Sequence, residues 1–231
     1  MPNNNFIRCV AAAAAVSCLC PTPASAEMVL SKVIVDLRPG QPPSDDIEVW
    51  NSGPDRLYVV AEPSEIRAAG TEAQTRVAVT DPAKSGLVVS PQRMILEPGQ
   101  RRLVRIAAVL PRAGSDRVYR VAIKPVAGRV TSASDALKVF VGYDVLVIQR
   151  PNQVTGDLAA AREGKSLSIS NRSNTAWEIY DGKQCDERGT NCVTLPATRL
   201  YARADFRIAL RYDTAVEYRV TNGMQTLLKR F

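Results

Sequence analysis

The chain has 231 residues, with 30 Lys and Arg against 23 Asp and Glu, a formal charge of +7 and no histidine. The missing histidine removes Ser-His-Asp hydrolysis, Cys-His nucleophilic chemistry and the usual histidine-bound zinc catalysis. Apart from Arg101-Arg102 and Lys229-Arg230, the basic residues are spread singly along the chain, which describes a solvated charged surface and argues against nucleic-acid binding.

The first residues predict an export signal. Arg8 supplies a positive start, Phe6 and the run 9–20 are apolar, and Ala24-Ser25-Ala26 is a small-residue cleavage site before Glu27. The run is too short for a membrane span, which needs ~18 or more apolar residues. A lipid-attachment reading at Cys18 is weaker, because Ala15-Val16-Ser17 fits poorly in front of it. With cleavage after Ala26, Cys185 and Cys192 remain. An even pair in an exported chain reads as a disulfide, here across a loop containing Gly189. Two cysteines without histidine make a poor zinc site, so no metal or cofactor is expected.

Residues 28–37 are rich in Val and Ile and predict a strand, broken by Arg38-Pro39-Gly40-Gln41-Pro42-Pro43. Residues 46–51 alternate apolar and polar, and a turn follows at Asn51-Ser52-Gly53-Pro54-Asp55. The strand 57–66 is expected to be interrupted at Pro63. Short strands follow at 76–79, 87–90 and 94–96, then a turn at Glu97-Pro98-Gly99-Gln100. Residues 103–108 and 117–126 are strands. A polar connection, 128–135, leads into the longest strand-like run, 136–151. There Leu137, Val139 and Val141 share one face, and Lys138, Phe140 and Gly142 share the other. Residues 145–148 are apolar on both faces, as in a strand covered on both sides. Arg150-Pro151 ends it, since proline cannot donate to a ladder.

Beyond Pro151 the predicted strands are 167–171, 175–180, 200–201, 206–210, 216–220 and 226–231. Residues 158–162 have helical composition, but Gly164 and the short length argue against a helix. No segment sustains a period of 3.6. Many short strands at roughly ten-residue spacing predict an all-β chain of two consecutive immunoglobulin-like β-sandwich domains. The divisions are a signal peptide over 1–26, a first domain over 27–150 and a second over 151–231. Trp50 and Trp177 are expected in the two cores.

Four stretches carry a family resemblance. They are Lys32-Val33-Ile34-Val35; Val89-Ser90-Pro91 with Leu96-Glu97-Pro98-Gly99 and Val104-Arg105-Ile106; Arg117-Val118-Tyr119-Arg120 through Lys124-Pro125; and the alternating Leu137, Val139 and Val141 ahead of Arg150-Pro151. Jointly they resemble the PapD-like family of periplasmic pilus-assembly chaperones, over essentially the whole mature chain. The Cys185–Cys192 loop and the closing Arg230-Phe231 are less diagnostic and suggest a divergent branch.

The resemblance implies a periplasmic chaperone, not an enzyme, with pilus subunits and an outer-membrane usher as partners. Its seventh strand, carrying Leu137, Val139 and Val141, is lent to a subunit that lacks a strand of its own. Two cleft cations anchor the subunit's terminal carboxylate in this family. The first corresponds to Lys32. The second corresponds to Leu146, which is not basic, nor is Asp144, so the anchor falls to Lys32 alone, to Lys138 or to another cleft cation. Asp116 and Arg150 resemble the family's interdomain ion pair. An open donor edge also implies self-capping as a homodimer. The alternative is a structural immunoglobulin-like surface or pilus protein, which should carry an N-terminal donor extension; here a strand follows the signal almost at once. An enzyme is disfavoured further because Asp45-Asp46 and Asp186-Glu187 lie in turn-like contexts.

Overall fold

A computed structural model describes residues 28–126 and 140–231. The first sandwich contains β1 (Met28–Leu30), β2 (Ile34–Leu37), β3 (Ser44–Asn51), β4 (Leu57–Arg67), β5 (Thr75–Ala78), α1 (Pro82–Ser85), β6 (Leu87–Ser90), β7 (Arg93–Leu96), β8 (Arg101–Ala108), β9 (Arg117–Val126) and β10 (Tyr143–Gln149). One of its sheets runs β1-β3-β8-β6. The other runs β2-β10-β9-β4, with β7 and β5 sharing the outer edge of β4. The second sandwich contains β11 (Leu158–Glu163), β12 (Ser166–Asn171), β13 (Trp177–Cys185), β14 (Cys192–Leu195), β15 (Thr198–Leu200), β16 (Asp205–Ala209), β17 (Val216–Thr221) and β18 (Thr226–Arg230). Its sheets run β11-β12-β16 and β14-β13-β17-β18, with β15 also on β13. The chain is thus all-β, with two consecutive immunoglobulin-like sandwiches.

Alternation selects the cores. In β3, Ile47 and Val49 point inward; in β8, Val104 and Ile106; in β9, Val121 and Ile123. Burying an aliphatic side chain of this kind is worth about 1.5–3 kcal/mol. The second core gathers Leu167, Ile169, Trp177, Ile179, Tyr218 and Val220. Trp177 also donates its Nε1–H to Ser173 Oγ at 3.0 Å, so its polar end is satisfied.

Several expectations are corrected. The single strand over 28–37 is two, in opposite sheets. Met28–Leu30 pairs with β3, and the chain then crosses the sandwich edge at Ser31, Lys32 and Val33 to pair with β10. Crossing lets one terminal segment cover an edge of each sheet. Proline does not interrupt β4. The Ala61 N–H donates to Gln92 at the end of β7, and Pro63 O accepts from Val79 beyond β5. Pro63 therefore sits where β4 changes partners, and its missing N–H deprives no ladder. Residues 158–163 form an edge strand. Trp50 lies half-buried on the outer face of β3, under the Arg101 guanidinium at 4.6 Å, rather than in the core.

The two sandwiches use one corner twice. Asn51 ends β3 with its side chain buried. Its Nδ2 donates to Asp55 O (2.7 Å) and Leu96 O (3.0 Å), and its Oδ1 accepts from the Gly53 N–H. Asn171 ends β12 in the same way, with Nδ2 donating to Thr175 O and Leu200 O at 2.8 Å each and Oδ1 accepting from the Ser173 N–H. After each corner comes a long central strand whose outer edge is divided between two partners. In β13 the division falls at a bulge, where the register shifts between Tyr180 and Lys183. Gly182 belongs there because a Cβ would lie 2.2 Å from the Tyr218 ring.

The Cys185–Cys192 disulfide joins directly opposed residues of β13 and β14, with their Cα atoms 3.9 Å apart. It closes the hairpin whose tip Asp186 already organises by accepting from Thr190 N and Asn191 Nδ2.

Candidate partner-binding edge and interdomain cleft

Position along β10 decides what each of its faces does. Val145 and Val147 enter the first core. Leu146 and Ile148 face the opposite way and join Ala69, Val118 and Ala176 in an apolar cluster between the sandwiches, with Ile66 and Tyr201 against it. Residues 145–148 are therefore covered on both sides, as their composition predicts. Leu146 is 4% exposed. A lysine there would place its charge in this dry seam, so the departure at position 146 is compatible with how the domains pack.

The parallel pairing with β2 begins only at Leu146↔Ile34, whereas β9 covers β10 from Tyr143 onward. Tyr143, Asp144 and Val145 thus have a strand on one side and no strand pairing on the other among the described residues. The chain ahead of them keeps to β9, since a Cβ on Gly142 would lie 2.7 Å from Lys124 Cβ. Val141 is 60% exposed, and Val33 and Ile34, beside this edge, are 49% and 43% exposed. Leu137, Val139 and the anchor candidate Lys138 lie outside the described residues.

Lys32 sits on the crossing segment, where its ammonium pairs with Asp45 at 2.7 Å. The neighbouring Asp46 is taken by Arg105 in a bidentate pair. The adjacent carboxylates are therefore separate surface ion pairs. The cleft beside Leu146 holds cations that the sequence alone does not single out. Arg120 is the cross-strand neighbour of Leu146 on β9 and donates to Asp144 O at 3.1 Å. Arg76 makes a two-pronged contact with the Asp144 carboxylate at 2.9 and 3.3 Å. Alternation alone could have placed Arg120 beside Leu146, had the β9–β10 register been known.

The junction differs in detail from the expected Asp116–Arg150 ion pair. Arg150 is 2% exposed and pairs with Asp36, Nε to Oδ1 at 2.6 Å. Its Nη1 donates to Thr175 Oγ1 (2.8 Å) and Ala176 O (2.9 Å). Asp116 reaches the same dipeptide from the other side, accepting from the Thr175 hydroxyl at 2.8 Å and the Ala176 N–H at 2.6 Å. Asp116 and Arg150 are therefore linked through Thr175-Ala176, and the acid that pairs with Arg150 is Asp36. Burial pushes the Asp116 carboxyl up, against the lowering effects of the Ala176 N–H and Arg150. Arg112 closes the arrangement by donating to Leu37 O and Arg150 O at 2.6 and 2.8 Å. Gly223, in the β17–β18 turn, lies directly on the pair: a Cβ there would sit 2.4 Å from Asp36 Oδ2 and 2.9 Å from Arg150 Nε. Asp36 escaped the sequence reading because it lies inside an aliphatic strand, Ile34-Val35-Asp36-Leu37.

No known family profile and no curated protein sequence matches the chain. Solved structures do. The class 5 fimbriae chaperone CfaA is 22% identical, with a TM-score of 0.65 over 88% of this chain and 98% of that one. The E. coli chaperone DraB is 16% identical, with a TM-score of 0.60 over 88% of this chain and 94% of that one. The complex of the Salmonella enterica SafA pilin with the SafB chaperone contains a chain 16% identical, with a TM-score of 0.60 over 91% of this chain and 98% of that one. The chain has the fold of these fimbrial chaperones across nearly its whole length.

Proposed function

We propose that the chain is a periplasmic chaperone for pilus subunits, working by strand donation and handing its cargo to an outer-membrane usher. The supporting observation is the open edge of β10 above Leu146, leading back to an exposed Val141, in a fold shared with fimbrial chaperones. A subunit lacking one strand exposes a groove of apolar pockets and unpaired backbone groups. Leu137, Val139 and Val141 fill successive pockets while the backbone of the same segment completes the subunit's sheet. Each aliphatic side chain contributes about 1.5–3 kcal/mol before the cost of association. That strength suits a complex that must persist and then be exchanged.

In this reading residues 1–26 are removed on export, and the boundary between domains falls at Arg150-Pro151. The subunit's terminal carboxylate is held at the cleft by Lys32, with Arg120 supplying the charge that Leu146 does not, and Lys138 as a further candidate. Both cations are already near carboxylate or carbonyl oxygens, so the incoming group competes with Asp45 and Asp144. The Asp116–Thr175–Ala176–Arg150 junction holds the angle between the domains. Without a subunit, the open edge pairs with a second copy of the chain. Catalysis has no part in this role.

The test is Val141→Asp, expressed to the periplasm together with pilus subunits that the parent chain captures. Subunit co-purification should be lost while circular dichroism stays native, since an exposed position tolerates charge. Retained capture, or an unfolded variant, would refute the donor role of this segment.

A further inference from the structure

The interdomain cleft has a second mouth, on the side of the Arg172 and Arg203 turns, whose cations the strand-lending mechanism leaves unused. It is a cavity of about 610 Å³, within the roughly 300–1,000 Å³ typical of sites that enclose a compact ligand. Its floor is apolar, made by Ile66, Ala69, Val118 and Tyr201, the exposed side of the seam between the sandwiches. Its rim carries Arg172 and Arg203, from two different turns of the second sandwich. Both side chains are exposed, and among the described residues neither guanidinium meets a carboxylate or a carbonyl. Arg162, Arg199 and Arg219 of the same sandwich are engaged, with Thr214 O and Tyr212 O, with Glu178 and with Asp181; what sets Arg172 and Arg203 apart from the other unpaired arginines is that both line one cavity. The one acid in the lining, Asp116, is directed inward onto Thr175 and Ala176.

The backbone also holds this mouth in an unusual form. Ala68 and Arg203, on opposite lips, have φ of 50° and 69°. Such positive-φ residues are strained and persist where the surroundings fix them. At Arg203 the fixing contacts are its N–H to Asn171 O and the Asn171 N–H to Ala204 O, so the buried Asn171 corner sets the position from which this guanidinium projects.

We propose that this mouth is a second docking site, for a short peptide segment of a partner protein that carries an apolar side chain flanked by carboxylates. The apolar side chain covers Ile66, Ala69, Val118 and Tyr201, and the carboxylates pair with Arg172 and Arg203. The charge complementarity follows from two forked donors without partners above an apolar floor. A small inorganic anion would use the rim and leave the floor wet. The site shares its apolar floor with the opening at Arg120 and Asp144, but its two cations are not those of the proposed anchor, and it stands whether or not the open edge of β10 captures a subunit.

The test is fluorescence anisotropy on the mature chain, with a fluorescein-labelled peptide alternating Leu and Glu. Saturable binding should weaken by at least about tenfold in Arg172→Ala/Arg203→Ala, and by a similar factor for the Gln-for-Glu and Ala-for-Leu peptides. Arg188→Ala/Arg207→Ala, charge-matched and away from the cleft, should bind like the parent chain, as should Val141→Asp. Circular dichroism confirms that each variant is folded. Equal binding by the two double-arginine variants would overturn the site. Indifference to the Leu residues, together with full displacement by inorganic phosphate, would reduce it to an anion contact and overturn the peptide assignment.

Discussion

Replacing Arg150 with Met tests the energetics of the junction most directly. The substitution keeps most of the buried aliphatic stem and deletes the guanidinium. It removes the 2.6 Å contact to Asp36 and the donors to Thr175 Oγ1 and Ala176 O, in a side chain only 3% exposed. Breaking a buried pair costs about 3–5 kcal/mol, because the remaining charge is left uncompensated. Asp36 keeps one partner, Arg38, at 3.1 Å, and is itself 16% exposed. The lower end, about 3 kcal/mol, is therefore expected. With a urea slope of about 2–3 kcal/mol/M for a chain of this size, the midpoint should fall by about 1 M. Tryptophan fluorescence should follow it, since Trp177 is buried in the second sandwich next to Ala176. The cycle through Asp36→Asn and the double variant should give a coupling of at least about 1 kcal/mol. A midpoint within about 0.3 M of the parent would refute the view that this pair bears the junction.

Three further outcomes are expected. Gly223→Ala should destabilise by about 1–3 kcal/mol in chemical denaturation, since φ is +82° and the new methyl meets the Asp36–Arg150 pair. Asp36→Asn should not rescue it, because the clash is with atoms of the same size. Leu146→Ala should cost about 2–5 kcal/mol by calorimetry, as a large-to-small change in a buried cluster. An effect below about 1 kcal/mol would mean that the seam is not tightly packed.

The third concerns acid stability. At Asp157, burial pushes the carboxyl up, but Lys229 and the Leu158 N–H outweigh it and leave it below the usual range. Its contribution is therefore fully present above about pH 4 and is lost as pH falls through the lowered value. Asp116 is raised, so its ionisation costs stability at neutral pH and relief comes as pH falls through the raised value. Lys229→Met should flatten the acid limb of the stability profile, and Asp116→Asn should steepen it. Identical profiles in parent and variants would contradict both assignments.

Strand positions were readable because inward alternation and turn chemistry agree: residues 117–126 are β9 to the residue, and 87–90 are β6. What the sequence concealed depends on pairing between distant strands. Residues 28–37 look continuous because both β1 and β2 are aliphatic; only their different partners divide them. Pro63 looks like a break until β4 is seen to change neighbours beside it. Trp50 was expected inside from its size, yet it falls on the outward parity of β3, between Val49 and Asn51, both buried. At the site, the two-sided covering of 145–148 was legible, since only a strand packed on both faces is apolar throughout. The acid that pairs with Arg150 and the cations around Asp144 were not. Asp36, Arg76 and Arg120 are brought to β10 by register, and one residue of slip would turn each away.

The point at which the terminal segment changes sheets also has a geometric consequence. Because Val33 O accepts from the Leu146 N–H, the crossover fixes where shelter of β10 begins. The reach of the open edge is thus gauged by β2, a strand that contributes nothing to the edge itself. Lengthening the first segment by two residues, so that alternation is preserved, would advance the cover toward Asp144 and shorten the accessible backbone. Shortening it would do the reverse. The crossover at Ser31–Val33 is in this sense a stop, and the length of backbone left open on β10 is encoded ahead of the turn at Pro39.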